Sequence, residues 1–229
     1  MKRIVFCLPG APTLEAVRSW DALRDAFAKR EDLEMCGVRG YSSSVRHCRN
    51  QLLENGVTGL KKDAKPFGGE AYDYMMWIDS DSVYTPDDFF KLLEMNVDIA
   101  TGLVPINFEG RGAVGRFNNW KNMQYFNLTQ WSQDRPPVEV DFCGFAFVLI
   151  KYGVFESMDY PWFTSGHFVV DDYVIDPGED VAWCIKAKAK GWKIYAHPGV
   201  RIQHDKRMLL EIPGPLAAGA QEGDQTQEA

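Results

Sequence analysis

The amino-acid sequence predicts an α/β fold in which buried strands alternate with amphipathic helices. Three observations predict it: a β-α-β opening, an apolar run at Tyr74–Ile78 that leads through two aspartates into a capped helix, and further strand-length apolar runs at 99–104 and 138–150. With 229 residues, 45% of them hydrophobic and 13% aromatic, the chain can enclose one sizeable core. The expected organisation is one domain over residues 1–207 and a flexible C-terminal tail over 208–229, since the stretch from Pro213 onward is small, polar and acidic.

Each element follows from its pattern. Ile4–Leu8 stops at Pro9-Gly10 and reads as the first strand rather than a leader segment, even with Lys2 and Arg3 ahead of it. Thr13 caps a helix whose Ala16, Trp20, Leu23 and Phe27 share one face, and Leu33–Val38 is the second strand. Ser42–Ser44 lead into a helix with Val45, Cys48, Leu52 and Leu53 inward, and with Arg46 and Arg49 on a neighbouring edge. A polar, glycine-rich loop over 55–70 precedes Tyr74–Ile78. Thr85-Pro86-Asp87-Asp88 then supplies a hydroxyl cap, a first-turn proline and acids beside the positive end of the helix dipole, and Phe89, Leu92 and Leu93 recur at helical spacing. Ile99–Val104 is another buried strand. Residues 105–115 are rich in glycine, proline and arginine, and the aromatic stretch 117–131 makes shorter strands or a flap. The run 138–150 is apolar nearly throughout and central, with Gly144 permitting close approach of backbone or ligand. Residues 160–175 read as a loop. Gly178-Glu179-Asp180 opens a helix with Val181, Cys184 and Ile185 inward that ends at Gly191, and strands near 193–195 and 200–204 close the core.

A net charge of −7 argues against a general nucleic-acid surface, although local arginines can still hold one anionic small ligand. The five cysteines are scattered without a Cys-x-x-Cys pair and read as reduced core thiols. No stretch approaches the roughly 20 apolar residues of a membrane span. The expectation is a soluble, cytoplasmic protein, with peripheral membrane association left open.

The chemistry is concentrated at Asp79-Ser80-Asp81. Two carboxylates at the carboxyl end of a buried strand sit where open α/β sheets bind ligands, and leaving them unpaired is costly. A divalent cation is the natural partner. Hard oxygen ligands suit Mn²⁺ or Mg²⁺, ions that share their coordination between one or two carboxylates and substrate phosphates.

Four landmarks stand in order: the β-α opening, Asp79-Ser80-Asp81, Gly178-Glu179-Asp180 at a helix start, and His204 on a late strand. With Arg46-His47-Cys48-Arg49-Asn50, Asp141–Phe147 and the stretch from Glu179 to Cys184 followed by His197-Pro198, this order resembles the GT-A glycosyltransferases over residues 1 to about 207. The resemblance implies a Rossmann-like mixed, mostly parallel sheet flanked by helices, and an enzyme moving sugar from a UDP- or GDP-sugar to a hydroxyl of a glycan, glycoprotein or other acceptor, with inversion. It implies that Asp79 faces ribose or metal, that Asp81 and His204 bind the metal, that Asp180 is the general base, held ionised by the helix dipole, and that Glu179 orients the acceptor or the base. Arg46 and Arg49 are candidates for the nucleotide or its diphosphate, as is Pro9 at the end of the first strand. Trp162 and Phe163, and after them Trp120 and Tyr125, offer flat faces for an acceptor sugar. His197 reads as structural.

Two other classes compete. Asp79–Val83 also matches the Asp-x-Asp-x-Val of haloacid-dehalogenase-like phosphatases, but those enzymes carry it on their first strand; here it follows a complete β-α-β unit, and Asp171, Asp172 and Asp180 lack an upstream lysine motif. A non-catalytic nucleotide-sugar-binding module needs the same acids for binding only. Nucleotidyltransferases of related fold usually have a basic, glycine-rich first loop, which Pro9-Gly10-Ala11-Pro12 is not.

Overall fold

The apolar runs become strands because helices cover both faces of the sheet they build. The computed structural model describes residues 1–54, 63–118, 122–170 and 173–206. In chain order the elements are β1 (Lys2–Pro9), α1 (Leu14–Phe27), β2 (Leu33–Gly40), α2 (Val45–Glu54), β3 (Tyr74–Ile78), β4 (Ser82–Val83), α3 (Pro86–Glu94), β5 (Ile99–Leu103), β6 (Arg111–Asn118), β7 (Asn122–Asn127), β8 (Val138–Val140), β9 (Phe142–Cys143), β10 (Phe147–Lys151), β11 (Phe168–Val170), β12 (Tyr173–Ile175), α4 (Glu179–Ala189), β13 (Ile194–Arg201) and β14 (Gln203–His204).

Seven strands form the main sheet in the order β2-β1-β3-β10-β5-β13-β8. β1 pairs parallel with β2 and β3, and β13 parallel with β5, while β10 runs antiparallel between β3 and β5 and β8 antiparallel to β13. The sheet is therefore mixed and mostly parallel. Its period-two alternation divides each central strand between two cores. Ile4, Phe6, Leu8, Met76 and Ile78 meet Leu23 and Phe27 of α1 and Phe89 and Leu92 of α3. Val5, Cys7, Met75 and Trp77 meet Leu52 and Leu53 of α2 and Val181 and Trp183 of α4 on the other face. Each such side chain contributes about 1.5–3 kcal/mol on burial, which is why these strands tolerate no polar face.

The helix starts form as their sequences require. Thr13 Oγ1 accepts the Ala16 N–H at 3.3 Å, and Thr85 and Asp88 make a reciprocal capping box at the start of α3. Three expectations are corrected. Residues 138–150 are not one strand but β8, β9 and β10: Asp141 breaks the first boundary, accepting from Lys188 Nζ at 2.5 Å and Phe117 N–H at 2.9 Å, and Gly144 lies in the second. Residues 168–175 carry the antiparallel pair β11–β12 rather than plain loop. Val45 is 44% exposed, because it begins α2 one turn short of the core. Trp120, Asp171, Asp172, residues 55–62 of the loop and the tail beyond 206 lie outside the described residues. All five cysteines are free thiols. Among the described residues no helix is long and apolar enough to cross a membrane.

Candidate active site

The ends of β1 and β3 and the start of α4 meet on one rim of the sheet. Asp79 leaves β3 with its N–H donated to Ala146 O at 3.1 Å, and Ser82 Oγ donates to the same carbonyl at 2.9 Å. Ser80 O accepts the N–H of Thr13 at 2.9 Å, which ties the acidic turn to the start of α1. The short antiparallel β4–β14 pair places His204 opposite Ser82 and so beside Asp81. Non-local pairing thus joins two landmarks separated by more than a hundred residues.

Arg49 is the centre of the constellation. Its side chain is 3% exposed; one terminal nitrogen donates to Glu179 Oε1 at 2.7 Å and the other to Asp79 at 2.9 and 3.3 Å. Phe145 and Phe163 lie 5.2 and 5.8 Å from the guanidinium carbon. Burial alone would lower its pKa, but Asp79, Glu179 and Asp180 outweigh that and raise it, so the group is a permanent cation. The adjacent Asn50 donates to Phe163 O at 2.8 Å and accepts from Phe163 N–H at 3.1 Å, pinning α2 to the 160–163 segment. Arg49, expected at the nucleotide base or its diphosphate, has its fork bonded to two carboxylates. Arg46, one turn earlier, is exposed.

Asp180 is partly buried in the first turn of α4. Its Oδ1 accepts the Val181 N–H at 2.7 Å, and a Cβ built on Gly144 would stand 3.6 Å from its Oδ2. Burial first, then the Glu179 carboxylate, push its pKa up, with Arg49 and the Val181 N–H opposing. The net direction is opposite to that expected from the helix dipole, because desolvation of a carboxylate outweighs partial charges at a helix end.

Asp81 faces His204, Nε2 to Oδ2 3.0 Å, and Lys206 Nζ at 3.3 Å. His204 Nδ1 lies 3.0 Å from Pro105 O. A carbonyl only accepts, so Nδ1 carries the proton, and in the neutral ring Nε2 then turns a lone pair on a carboxylate oxygen. With the ring protonated Nε2 donates to Asp81; with it neutral, the nitrogen and the carboxylate form a ligand pair of a kind that suits Mn²⁺ or Mg²⁺. Among the described residues no three His, Cys, Asp or Glu side chains form a ready-made cage. An ion held here would complete its shell with phosphate oxygens and water, as these ions commonly do.

An open cleft of about 230 Å³ lies beside these groups, lined by Pro9, Gly10, Ser42, Val45, Cys48, Asp79, Ser80 and Asp81. A second groove of about 160 Å³, formed by 105–108 with His204 and Lys206, carries Phe108, which is 91% exposed. Trp162 and Phe163, expected as acceptor platforms, are 0% and 1% exposed and belong to the core, where Phe163 packs on Trp77 and Phe145. Aromatic residues next to a proline in a loop look like platforms in sequence, but here Asn50 folds that loop inward. Tyr125 is half-buried with Arg111 4.1 Å above its ring. His197, read from sequence as structural, accepts the Gly199 N–H at 3.0 Å. Lys206 and the 105–108 groove had no sequence signal beyond their nearness to His204 and to the strand ending at 103.

No protein-family model matches the sequence, and no curated protein sequence matches it. Solved structures do match. Protein A197 from STIV superposes with a TM-score of 0.50 at 19% identity, over 93% of this chain and 98% of that one. GalNAc-T7, solved with UDP, GalNAc and Mn²⁺, superposes with a TM-score of 0.55 at 11% identity, over 91% of this chain and 44% of that one. The fold is GT-A. At these identities the likeness establishes the fold and leaves the chemistry to the residues at its rim, and this chain spans less than half of GalNAc-T7.

Proposed function

We propose that this GT-A protein is a metal-dependent glycosyltransferase that moves a sugar from a UDP- or GDP-sugar to a hydroxyl of a glycan, glycoprotein or other acceptor, with inversion. The observation that carries the reading is the convergence, through Arg49, of Asp79 beside the 230 Å³ cleft with the Glu179-Asp180 pair at the start of α4. A phosphatase nucleophile must be free, whereas Asp79 is held by a buried guanidinium, and that disfavours the dehalogenase-like alternative. A non-catalytic binding module has no use for a part-buried carboxylate with a raised pKa on the far side of Arg49.

On this reading the cleft walls from Pro9 to Cys48 receive the nucleotide, Asp79 faces its ribose, and Arg46 approaches the diphosphate from the solvent side. Asp81 and His204 would hold Mn²⁺ or Mg²⁺, which when bound neutralises charge on the diphosphate leaving group. Asp180 takes the proton of the acceptor hydroxyl as its oxygen forms the bond to the anomeric carbon; the carbon–oxygen bond to the diphosphate breaks on the opposite side, and the bond electrons leave with the nucleoside diphosphate. Its raised pKa makes it a stronger base than an ordinary aspartate. Glu179 holds Arg49 and shares the acceptor side.

A screen of UDP- and GDP-sugars for Mn²⁺-dependent thermal stabilisation identifies the donor. NMR coupling constants of the product from that donor then give its configuration. Opposite anomeric configuration supports the reading; stabilisation by no nucleotide sugar, or equal stabilisation in EDTA, overturns it.

A further inference from the structure

Arg49 lies between the carboxylate that faces the cleft and the carboxylate that opens α4, and it reaches each with a different nitrogen: Glu179 at 2.7 Å, Asp79 at 2.9 Å. The guanidinium is a rigid planar fork, so two carboxylates bonded to its two ends are held at a set separation and in a set plane, which a point charge cannot do. The surroundings reinforce the fork. Phe145 and Phe163 flank it, and the reciprocal pair of hydrogen bonds between the Asn50 side chain and the Phe163 backbone fixes both the ring and the helix turn that carries Arg49. Among the described residues its buried Nε has no hydrogen-bond partner, so the side chain forgoes one bond in order to make the two-armed contact. A buried ion group of this kind is seldom the most stable filling for a core, and apolar residues of similar volume commonly do as well. Its position at the junction of the two half-sites is therefore better explained by geometry than by stability.

We propose that Arg49 is a positioning residue that sets the spacing between Asp79 and Glu179 and thereby couples occupancy of the donor cleft to the placement of Asp180; this rests on the glycosyltransferase reading. Arg49 touches neither substrate. It acts by holding the acceptor-side carboxylates in register with the anomeric carbon, where a displacement of about 1 Å is enough to cost on the order of 10² in rate.

The test uses the full chain and the donor found in the screen. Arg49→Lys keeps the charge but not the fork. The expected result is a folded protein by near-UV circular dichroism, with kcat for transfer lowered by about 10²-fold and the donor KM within about threefold of the parent, because the cleft walls are untouched. A kcat within threefold of the parent overturns the proposal, and so does a loss confined to donor KM, which would mean that Arg49 meets the donor itself. If Arg49→Lys does not fold, Glu179→Gln decides. That substitution does not touch the cleft, but it leaves Asp79 as the carboxylate bonded to the guanidinium fork, so the affinity for UDP or GDP with Mn²⁺ should tighten by at least about threefold; unchanged or weaker binding overturns the coupling. A wild-type protein that turns over no UDP- or GDP-sugar with Mn²⁺ removes the glycosyltransferase reading and this proposal with it, whereas an active wild type matched by an equally active Arg49→Lys removes the proposal alone.

Discussion

Asp180 has the environment a general base needs, and its neighbours determine when it can act. Burial and Glu179 raise its pKa above the ordinary aspartate range, and a base works only in its ionised form. Transfer should therefore fall as pH drops through that raised value. Glu179→Gln removes a raising charge, so the acid limb of the pH–rate profile should move to lower pH; an unmoved limb would assign it to another group. Asp180→Asn keeps the shape and loses the proton acceptor. Donor and Mn²⁺ binding, read by calorimetry, should stay near the parent while transfer falls by about 10²–10⁴-fold. At the neighbouring pair, Asp81→Ala should abolish Mn²⁺-dependent UDP or GDP binding, and His204→Ala should weaken it less, because water can take one ligand position while the carboxylate and diphosphate remain. A metal titration of both variants checks the order. Asp79 and Asp81 were legible in sequence from their types and spacing, and Glu179, Asp180 and His204 through the family resemblance, but the Arg49 fork was not. An arginine on a helix edge reads as solvated until the partners buried with it are known.

Among the elements, α3 and the β4–β14 pair hold the acidic turn in place. α3 begins with a reciprocal box, Thr85 N–H to Asp88 Oδ2 at 2.8 Å and Asp88 N–H to Thr85 Oγ1 at 3.4 Å, and buries Phe89 and Leu92 below β3. Thr85→Ala should lower unfolding stability by about 0.5–2 kcal/mol in urea while leaving nucleotide affinity intact, since the cap lies outside the cleft. A loss of affinity without loss of stability would mean that the cap sets the turn conformation itself. Caps, strands and helical faces were readable because each is a local pattern. The division of 138–150 was not, since unbroken hydrophobicity reports burial on both faces but not the direction in which the chain runs.

For the molecule as a whole, a ligand bound only by the native state adds stability by mass action. UDP or GDP at about 100 times its Kd should add about 2.7 kcal/mol when Mn²⁺ is present, and EDTA should remove the gain. A melting-temperature series in nucleotide, with and without chelator, measures it. The same series in Asp81→Ala should be flat, which ties the global effect to one carboxylate rather than to general ion binding.

The sequence by itself determined most of the elements, most of the apolar faces that pack them, the helix caps and the order of Asp79, Asp81, Glu179, Asp180 and His204, because propensity, periodicity and residue chemistry act over a few neighbouring positions. Only the tertiary structure decided that β10 enters the sheet antiparallel between β3 and β5, that Trp162 and Phe163 turn into the core, that Asp81 meets His204 across the β4–β14 pair, and that Arg49 joins Asp79 to Glu179. Each of these rests on contacts between segments far apart in the chain, where desolvation and packing against distant partners outweigh the local preferences that a sequence displays.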